Sequence, residues 1–333
     1  IAGFVAGVLG LVWRLVWYRR EVALTWDERG FRLVGRSEFF SERFRSELRA
    51  IRSTLTGDCA EATMGTLFGA LFWICMVIYA LAVAGQLFGQ AFGKPGWVRG
   101  AWHLVTIGLV LHTVLVAWRW ISVGHVPTIG NFENALVGGW FIVLMTLWAG
   151  WKQRYPLLAA GALPFALVIM GGGAMSDTAE RPMVAALQSF WLYIHIFFAW
   201  LAYGAYTVAC GAGIVYLSKS RRGREPDEEA LGRLDELMFR STVFGFITDA
   251  VMIASGSIWA KSLWGSYWSW DPVETWSLLS WLIYGVALHL RITMGWRGRK
   301  LACLLVFAII GVLVSFWGVN LVMEGSSHVF NVG

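Results

Sequence analysis

Apolar residues run through this chain in long stretches that are separated by short polar segments. A membrane-crossing helix needs roughly 20 apolar residues. A backbone exposed to lipid must satisfy its own hydrogen bonds, so such stretches form helices. The pattern predicts an all-α polytopic membrane protein, a helical bundle of about eight or nine transmembrane helices. The predicted spans are 1–18, 64–90, 101–120, 132–150, 155–172, 191–218, 241–259, 273–292 and 301–322.

Residues 19–63 break this pattern. They carry nine arginines and eight acidic residues among interspersed Phe, Leu and Ile. This mixture predicts a small water-facing segment, partly amphipathic helix, lying against the membrane. The chain therefore divides into residues 1–63, a span with this segment, and residues 64–333, a membrane domain.

Composition supports the membrane assignment. Hydrophobic residues make up 57% and charged residues 14%, whereas soluble domains have about a quarter charged residues. The net charge of +6 does not indicate nucleic-acid binding, because the positive residues cluster beside the spans as orientation signals do. Membrane lipid is the expected surrounding. The four cysteines form no CxxC pair, so we expect no thiol–disulfide chemistry on this chain.

The positions of the basic residues predict the topology. Two loops are basic, 219–224 and the turn after Arg291, and the positive-inside rule places both in the cytoplasm. We therefore expect a multi-pass protein of the bacterial inner membrane whose Trp-rich loop and C-terminus face the periplasm. The segments predicted to face outward are 120–131, 173–190, 260–272 and 323–333.

Tryptophan is concentrated in one outward loop. Of 21 tryptophans, six lie between residues 259 and 281. An interfacial aromatic belt is one interpretation. The high density, together with Gly265 and Tyr267, also fits a broad aromatic surface for a planar apolar ligand such as a porphyrin. Composition leaves both interpretations open.

The acidic residues of this loop have a structural interpretation. In Asp-Pro-Val-Glu, Asp271 stands at an N-cap position, Pro272 at the first helical position and Glu274 at the third. The spacing predicts that Asp271 starts the next helix and is not a catalytic acid.

Two histidines lie at the outer level of the Trp-rich loop. His195 is about one and a half turns inside its predicted helix, and His328 follows the last span. Two imidazoles at one level can ligate one heme iron from opposite faces. A solvated tail residue is the alternative interpretation of His328.

A second site is predicted near the cytoplasmic end of the same bundle. His289 has Gly285 one turn earlier, which would leave room for a flat ligand, and Arg291 is near enough to meet a propionate. Its second ligand must come from another helix or chain, and His112 and His103 are the internal candidates. His125 is interpreted as an ordinary loop residue.

The stretch 259–291 closely resembles the WWD signature of the CcsA (ResC) family, the heme-handling proteins of system II cytochrome c biogenesis. The segment PTIGNFE at 127–133 and the run QSFWLYIH that ends at His195 are also similar to family segments. The resemblance covers residues 64–333.

This resemblance implies that heme b, bound non-covalently, is the substrate. His195 and His328 would be its outer iron ligands and His289 its transmembrane ligand. Heme would cross the membrane and reach the CxxCH motif of an apocytochrome c, whose thiols thiol-reducing proteins keep reduced. The chain would then be the heme-presenting part of a cytochrome c synthetase. The loop residues 259–276 that the signature places at the heme include Trp264, Trp268, Trp270 and Asp271.

Residues 1–63 are similar to the C-terminal end of CcsB (ResB). The resemblance implies the last part of a fused CcsB–CcsA protein, and CcsB is the expected partner whether separate or fused. One ligand of the intramembrane heme would lie in CcsB.

Two other functions compete with heme delivery. One is a b-type heme electron-transfer subunit of a respiratory complex, in which the heme stays bound. The other is a heme-free transporter or scaffold. The Trp-rich loop favours heme delivery, because a permanent electron carrier has little use for a large exposed aromatic surface.

Overall fold

A short β-hairpin and eight helices make up the residues that the computed structural model describes, which are 21–27, 30–36, 59–150, 155–179, 187–220 and 227–315. The two strands are β1 (Glu21–Asp27) and β2 (Gly30–Arg36). The helices are α1 (Cys59–Ala91), α2 (Pro95–Val123), α3 (Gly130–Ala149), α4 (Leu158–Gly173), α5 (Phe190–Lys219), α6 (Glu228–Trp264), α7 (Pro272–Thr293) and α8 (Arg299–Leu313).

The eight helices coincide with eight of the nine predicted spans. Five of them, α1, α2, α3, α5 and α6, are long and apolar enough to cross a membrane, and α4 is a shorter apolar helix. The prediction of a helical multi-pass membrane protein is therefore confirmed for this part of the chain. The first predicted span, 1–18, lies outside the described residues.

A β-hairpin forms residues 21–27 and 30–36 of the segment predicted to be partly amphipathic helix. β1 and β2 pair antiparallel, with Leu24 opposite Leu33 and Trp26 opposite Phe31. The physical reason is visible in β1, where Val22, Leu24 and Trp26 recur at every second position, the period of a strand. Residues 37–58 of that segment lie outside the described residues, and 59–63 begin α1.

Helix α6 begins well before the apolar stretch predicted at 241–259. Asp227 caps its first turn by accepting a hydrogen bond from the Ala230 amide at 2.9 Å. Ion pairs one turn apart, Arg233 with Glu229 and Arg240 with Glu236, then support a polar first half. Hydropathy alone does not detect this part of the helix, since it is helical but not apolar.

Successive helices run in opposite directions and leave their loops at two ends of the bundle. We call the end with loops 124–129, 174–189 and 265–271 the Trp-loop end, and the opposite end the basic end. At the Trp-loop end, Arg119 of α2 donates to the Ala179 carbonyl at 3.0 Å. The outward loops of the predicted topology after residue 120 thus share one end of the bundle, as far as the structure describes them.

Helix α5 is the centre of the bundle and is the most buried of the candidate spans. It packs against α3, α4, α6 and α8. Its crossing with α4 is close, because a Cβ added to Gly161 would lie 2.4 Å from the Gly211 carbonyl oxygen. Small residues permit this approach, as in other membrane helix pairs.

Candidate functional site at the Trp-loop end

His195 is fixed by the backbone of helix α6. It lies five residues after Phe190, the first residue of α5. Its Nδ1 is 2.9 Å from the Met252 carbonyl oxygen. A carbonyl only accepts, so Nδ1 carries a proton, and in the neutral form of the ring the lone pair is then on Nε2. A backbone bond of this kind sets the tautomer of metal-ligating histidines.

Gly256 provides the space for the His195 ring. A Cβ at this position would lie 2.6 Å from Nδ1, well inside contact distance. The Met252 carbonyl that holds Nδ1 also accepts a hydrogen bond from the Ser255 hydroxyl at 3.1 Å. One turn of α6 therefore determines both the position and the orientation of the imidazole.

A small apolar cluster joins His195 to the Trp-rich loop. Leu187, Leu192 and Trp259 are buried together, and Ile196 and Trp264 pack against them. Ile196 follows His195 directly in α5, and Trp264 is the last residue of α6. Through Ile196, the turn of α5 that carries His195 thus packs near the end of α6 from which the loop starts.

The loop's rings do not share one plane. Trp268 and Trp270 meet edge to face, with ring centroids 5.8 Å apart at 85°, and Trp259 and Trp264 meet at 67°. Trp264 and Trp268 are half-buried, whereas Tyr267 is 58% and Trp270 69% exposed. The predicted broad flat surface is instead an angled group in which Tyr267 and Trp270 face outward.

Trp270 has an unusual backbone conformation that sequence reasoning did not find. Its φ is +59°, and no other non-glycine residue in the described part of the chain has a positive φ. Such a conformation is rare for a bulky side chain and persists where neighbours enforce it. Glu274 does so by accepting hydrogen bonds from the Ser269 amide and hydroxyl at 2.8 and 3.2 Å.

The capping role of Asp271 is confirmed. Its Oδ1 accepts from the Val273 amide at 2.9 Å, and Glu274 accepts from the Asp271 amide at 3.3 Å. Both halves of the capping box are present, with Pro272 at the first helical position. These bonds start α7 and fix the angle at which the Trp-rich loop joins it.

A buried ion pair at the Trp-loop end was not predicted. Arg119 donates to Glu133 at 2.8 Å, and both side chains are less than a tenth exposed. Glu133 also accepts from the Ile129 amide at 2.9 Å. Together with the bond from Arg119 to Ala179, the pair ties two loops of this end to α2 and α3. Two opposite charges in otherwise apolar stretches are the sequence signal that could have identified it.

The predicted inner site differs from expectation in two respects. A Cβ on Gly285 would lie 3.1 Å from the Phe246 ring, which stacks on Trp281. Phe246 therefore fills the room expected for a flat ligand. Arg291 is buried and pairs with Asp235 at 2.7 Å, so it is not placed to meet a propionate.

The other histidines have separate positions. His289 is exposed on α7, and His103 is exposed on α2. His112 is fully buried, with Nε2 2.9 Å from the Leu136 carbonyl and Nδ1 3.2 Å from the Tyr79 hydroxyl. Ligation of iron by His112 would require one of these bonds to break. His125 lies in a loop with Nδ1 2.9 Å from the Val126 carbonyl.

His328, the predicted second outer ligand, lies outside the described residues. The structure places His195 against Met252 and Gly256 of α6, the helix that ends at Trp264 and leads into the loop that carries Trp268, Trp270 and Asp271. His289 belongs to the opposite half of the bundle, near the C-terminal end of α7.

Comparison with known proteins relates most of the chain to one family. The family model described as cytochrome C assembly protein matches residues 129–327. The chain is 32% identical over 254 residues to the cytochrome c biogenesis protein CcsA of Synechococcus sp. (strain RCC307), covering 67% of this chain and 82% of that protein. It is 31% identical over 287 residues to CcsA of Synechococcus sp. (strain CC9605), covering 77% and 91%.

Among solved structures, the cytochrome c heme lyase CcmF matches with a TM-score of 0.58 and 18% sequence identity. The match covers 75% of this chain and 46% of that structure. At this identity the likeness shows a shared fold alone.

Proposed function

Because the chain belongs to the CcsA family of cytochrome c assembly proteins, we propose that it binds heme at its Trp-loop end and delivers it to apocytochrome c. The chain is a multi-pass membrane protein with a role in cytochrome c biogenesis. The finer steps of that role rest on the geometry around His195.

The arrangement of His195 carries the proposal. Its ring lies against Gly256, its Nδ1 proton is held by the Met252 carbonyl, and its lone pair is on Nε2. This is the state in which an imidazole ligates iron. We infer that His195 is one axial ligand of the outer heme and that His328 is the other.

The Trp-rich loop would hold the porphyrin while the iron is ligated. Its exposed rings, Tyr267 and Trp270, offer apolar faces to a flat ligand. Each cysteine thiol of a CxxCH motif would then add across one heme vinyl group, so that the S–H bond and the vinyl π bond break while one S–C and one C–H bond form. This addition has no net oxidation, but it requires both thiols in the reduced form, which thiol-reducing proteins would maintain.

A route across the membrane follows from the position of His289. It is exposed on α7, and both ring nitrogens of His112 are already engaged inside the bundle. We infer that the second ligand at this inner site comes from a CcsB partner, separate or fused. With the basic end in the cytoplasm of a bacterium, heme would pass from His289 to the periplasmic Trp-loop end.

The proposal is tested by expressing the chain with CcsB and an apocytochrome c. Membranes are purified, the heme absorption of the complex is recorded, and covalent heme on the cytochrome is stained. We expect His195→Ala, His328→Ala and His289→Ala each to lower bound heme and covalent attachment. His125→Ala, a loop histidine, is the matched control and should behave as the unaltered protein.

Two results would contradict the proposal at different steps. Unchanged heme absorption in all three variants would show that the ligand assignment is wrong. Bound heme without any covalent attachment, with CcsB present, would favour a b-type electron-transfer subunit.

A further inference from the structure

Asp249 is a buried acid in the middle of the apolar stretch of α6. It is 1% exposed, and the Tyr206 hydroxyl of α5 donates to its Oδ2 at 3.0 Å. Its other oxygen, Oδ1, is buried and has no hydrogen-bond partner among the described residues. Acidic groups inside spans are rare and are functional candidates by default.

The groups that face Asp249 bring no positive charge. From α5 come the hydroxyls of Tyr203 and Tyr206, and from α7 comes that of Tyr284, which is within electrostatic range of Asp249 and of the Cys210 thiol. Beyond α8, Ser315 hydrogen-bonds to Tyr203. No lysine, arginine or histidine forms an ion pair with Asp249 within the described part of the chain.

The packing around the acid is tight. The rings of Tyr206 and Tyr284 are stacked at 3.5 Å between centroids and 2° between planes. Tyr284 is fully buried, and its hydroxyl has no partner among the residues that the structure describes. An unsatisfied carboxyl oxygen and an unsatisfied hydroxyl therefore belong to one buried polar group between α5, α6 and α7.

An ionised carboxylate in this position would be costly. Burial in a low-dielectric interior strongly disfavours an ion that has no paired charge, and such a group is neutralised instead. A neutral carboxyl carries its hydrogen on one oxygen and can still accept from a phenol through the other. Asp249 fits this state, with Tyr206 donating to Oδ2 and the hydrogen on Oδ1.

We propose that Asp249 is a proton-binding site inside the membrane. Its carboxyl carries a proton at neutral pH and loses it at alkaline pH. The carboxyl accepts a hydrogen bond from Tyr206 and belongs to the same buried polar cluster as the Tyr284 hydroxyl. The site lies three residues before Met252, whose carbonyl orients His195. The proposal goes beyond heme delivery and holds whether or not His195 ligates iron.

Infrared spectroscopy of the purified full chain, together with whatever partner co-purifies, tests the proposal directly. At neutral pH we expect the C=O band of a protonated carboxyl in a dry environment, shifted in heavy water and missing in Asp249→Asn. The matched control is Asp235→Asn, because Asp235 is an acid of the same helix that has a basic partner, Arg291, at 2.7 Å. That variant should keep the band.

A second variant tests the site without removing the acid. Tyr206→Phe deletes the hydrogen bond to Oδ2, which stabilises the ionised form more than the neutral form. The pH at which the band is half lost should therefore rise by about one unit. Replacing sodium by choline should leave the band unchanged.

Several results would overturn the proposal. One is a band that survives in Asp249→Asn, and another is the absence of any such band in the unaltered protein at neutral pH. A band that appears only when sodium or potassium is removed would identify Asp249 as the ligand of a metal cation. An unchanged midpoint in Tyr206→Phe, in a protein that still folds, would show that Tyr206 does not hydrogen-bond to the carboxyl that gives the band.

Discussion

Gly256 determines where the His195 ring lies, and this makes it a sensitive position in the molecule. We expect Gly256→Ala to displace the ring, since its Cβ would lie 2.6 Å from Nδ1 and would break the 2.9 Å bond to the Met252 carbonyl. Overpacking of this kind costs about 1–3 kcal/mol of unfolding free energy. The heme absorption of the complex should fall or shift, and thermal unfolding in detergent should occur at lower temperature.

The control for this change lies on the same helix. Gly232 has no atom within 4 Å of an added Cβ, so Gly232→Ala should keep the heme spectrum and raise stability slightly. An unaltered spectrum in Gly256→Ala would show that His195 is not held as the structure indicates.

At this scale the sequence predicts local features and not the partners of long-range contacts. The Asp271 cap depends on four consecutive residues, 271–274, and its prediction is confirmed. The carbonyl that fixes His195 is 57 residues away, so no spacing rule identifies it. The expectations for Gly285 and Arg291 were wrong for the same reason, because both of their neighbours, Phe246 and Asp235, come from α6.

At the scale of elements, the Arg119–Glu133 pair holds together the loops on which the Trp-loop end is built. We expect Glu133→Ala to lower the unfolding free energy by about 3–5 kcal/mol, because it leaves the buried Arg119 charge without its carboxylate. Denaturant or thermal unfolding of the purified protein measures this effect.

The exposed pair between Arg233 and Glu229 is the matched comparison. Glu229 is 85% exposed, so Glu229→Ala should change stability by less than about 1 kcal/mol. Equal losses of unfolding free energy in the two variants would mean that water reaches the Arg119–Glu133 pair and that the pair does not hold the loops together.

Hydropathy predicts elements only where they are apolar. It identifies α1 to α5 closely, but it misses the first half of α6, which the Asp227 cap and paired charges stabilise. It also misses the hairpin, since a stretch of alternating residues within a charged segment resembles an amphipathic helix until its period is examined.

At the scale of the whole molecule, the alternation of helices predicts a definite topology. Alkaline phosphatase needs disulfides and is active only in an oxidising compartment. Alkaline phosphatase that is fused after residue 176 or 266, in loops of the Trp-loop end, should therefore be active in a bacterial host. Fusions after residues 227 and 296, at the basic end, should be inactive, and the reverse pattern would contradict the proposed direction of heme passage.

The length of α6 has a consequence for how the two ends of the bundle communicate. At 37 residues it measures about 55 Å, whereas the hydrocarbon layer is about 30 Å thick. The helix contains no proline and is continuous over its whole length. Asp235 near one tip and Gly256 near the other are about 30 Å apart along the axis. Because α6 is continuous between these two residues, we expect a displacement of the helix at the basic end to change the position of the His195 ring as well.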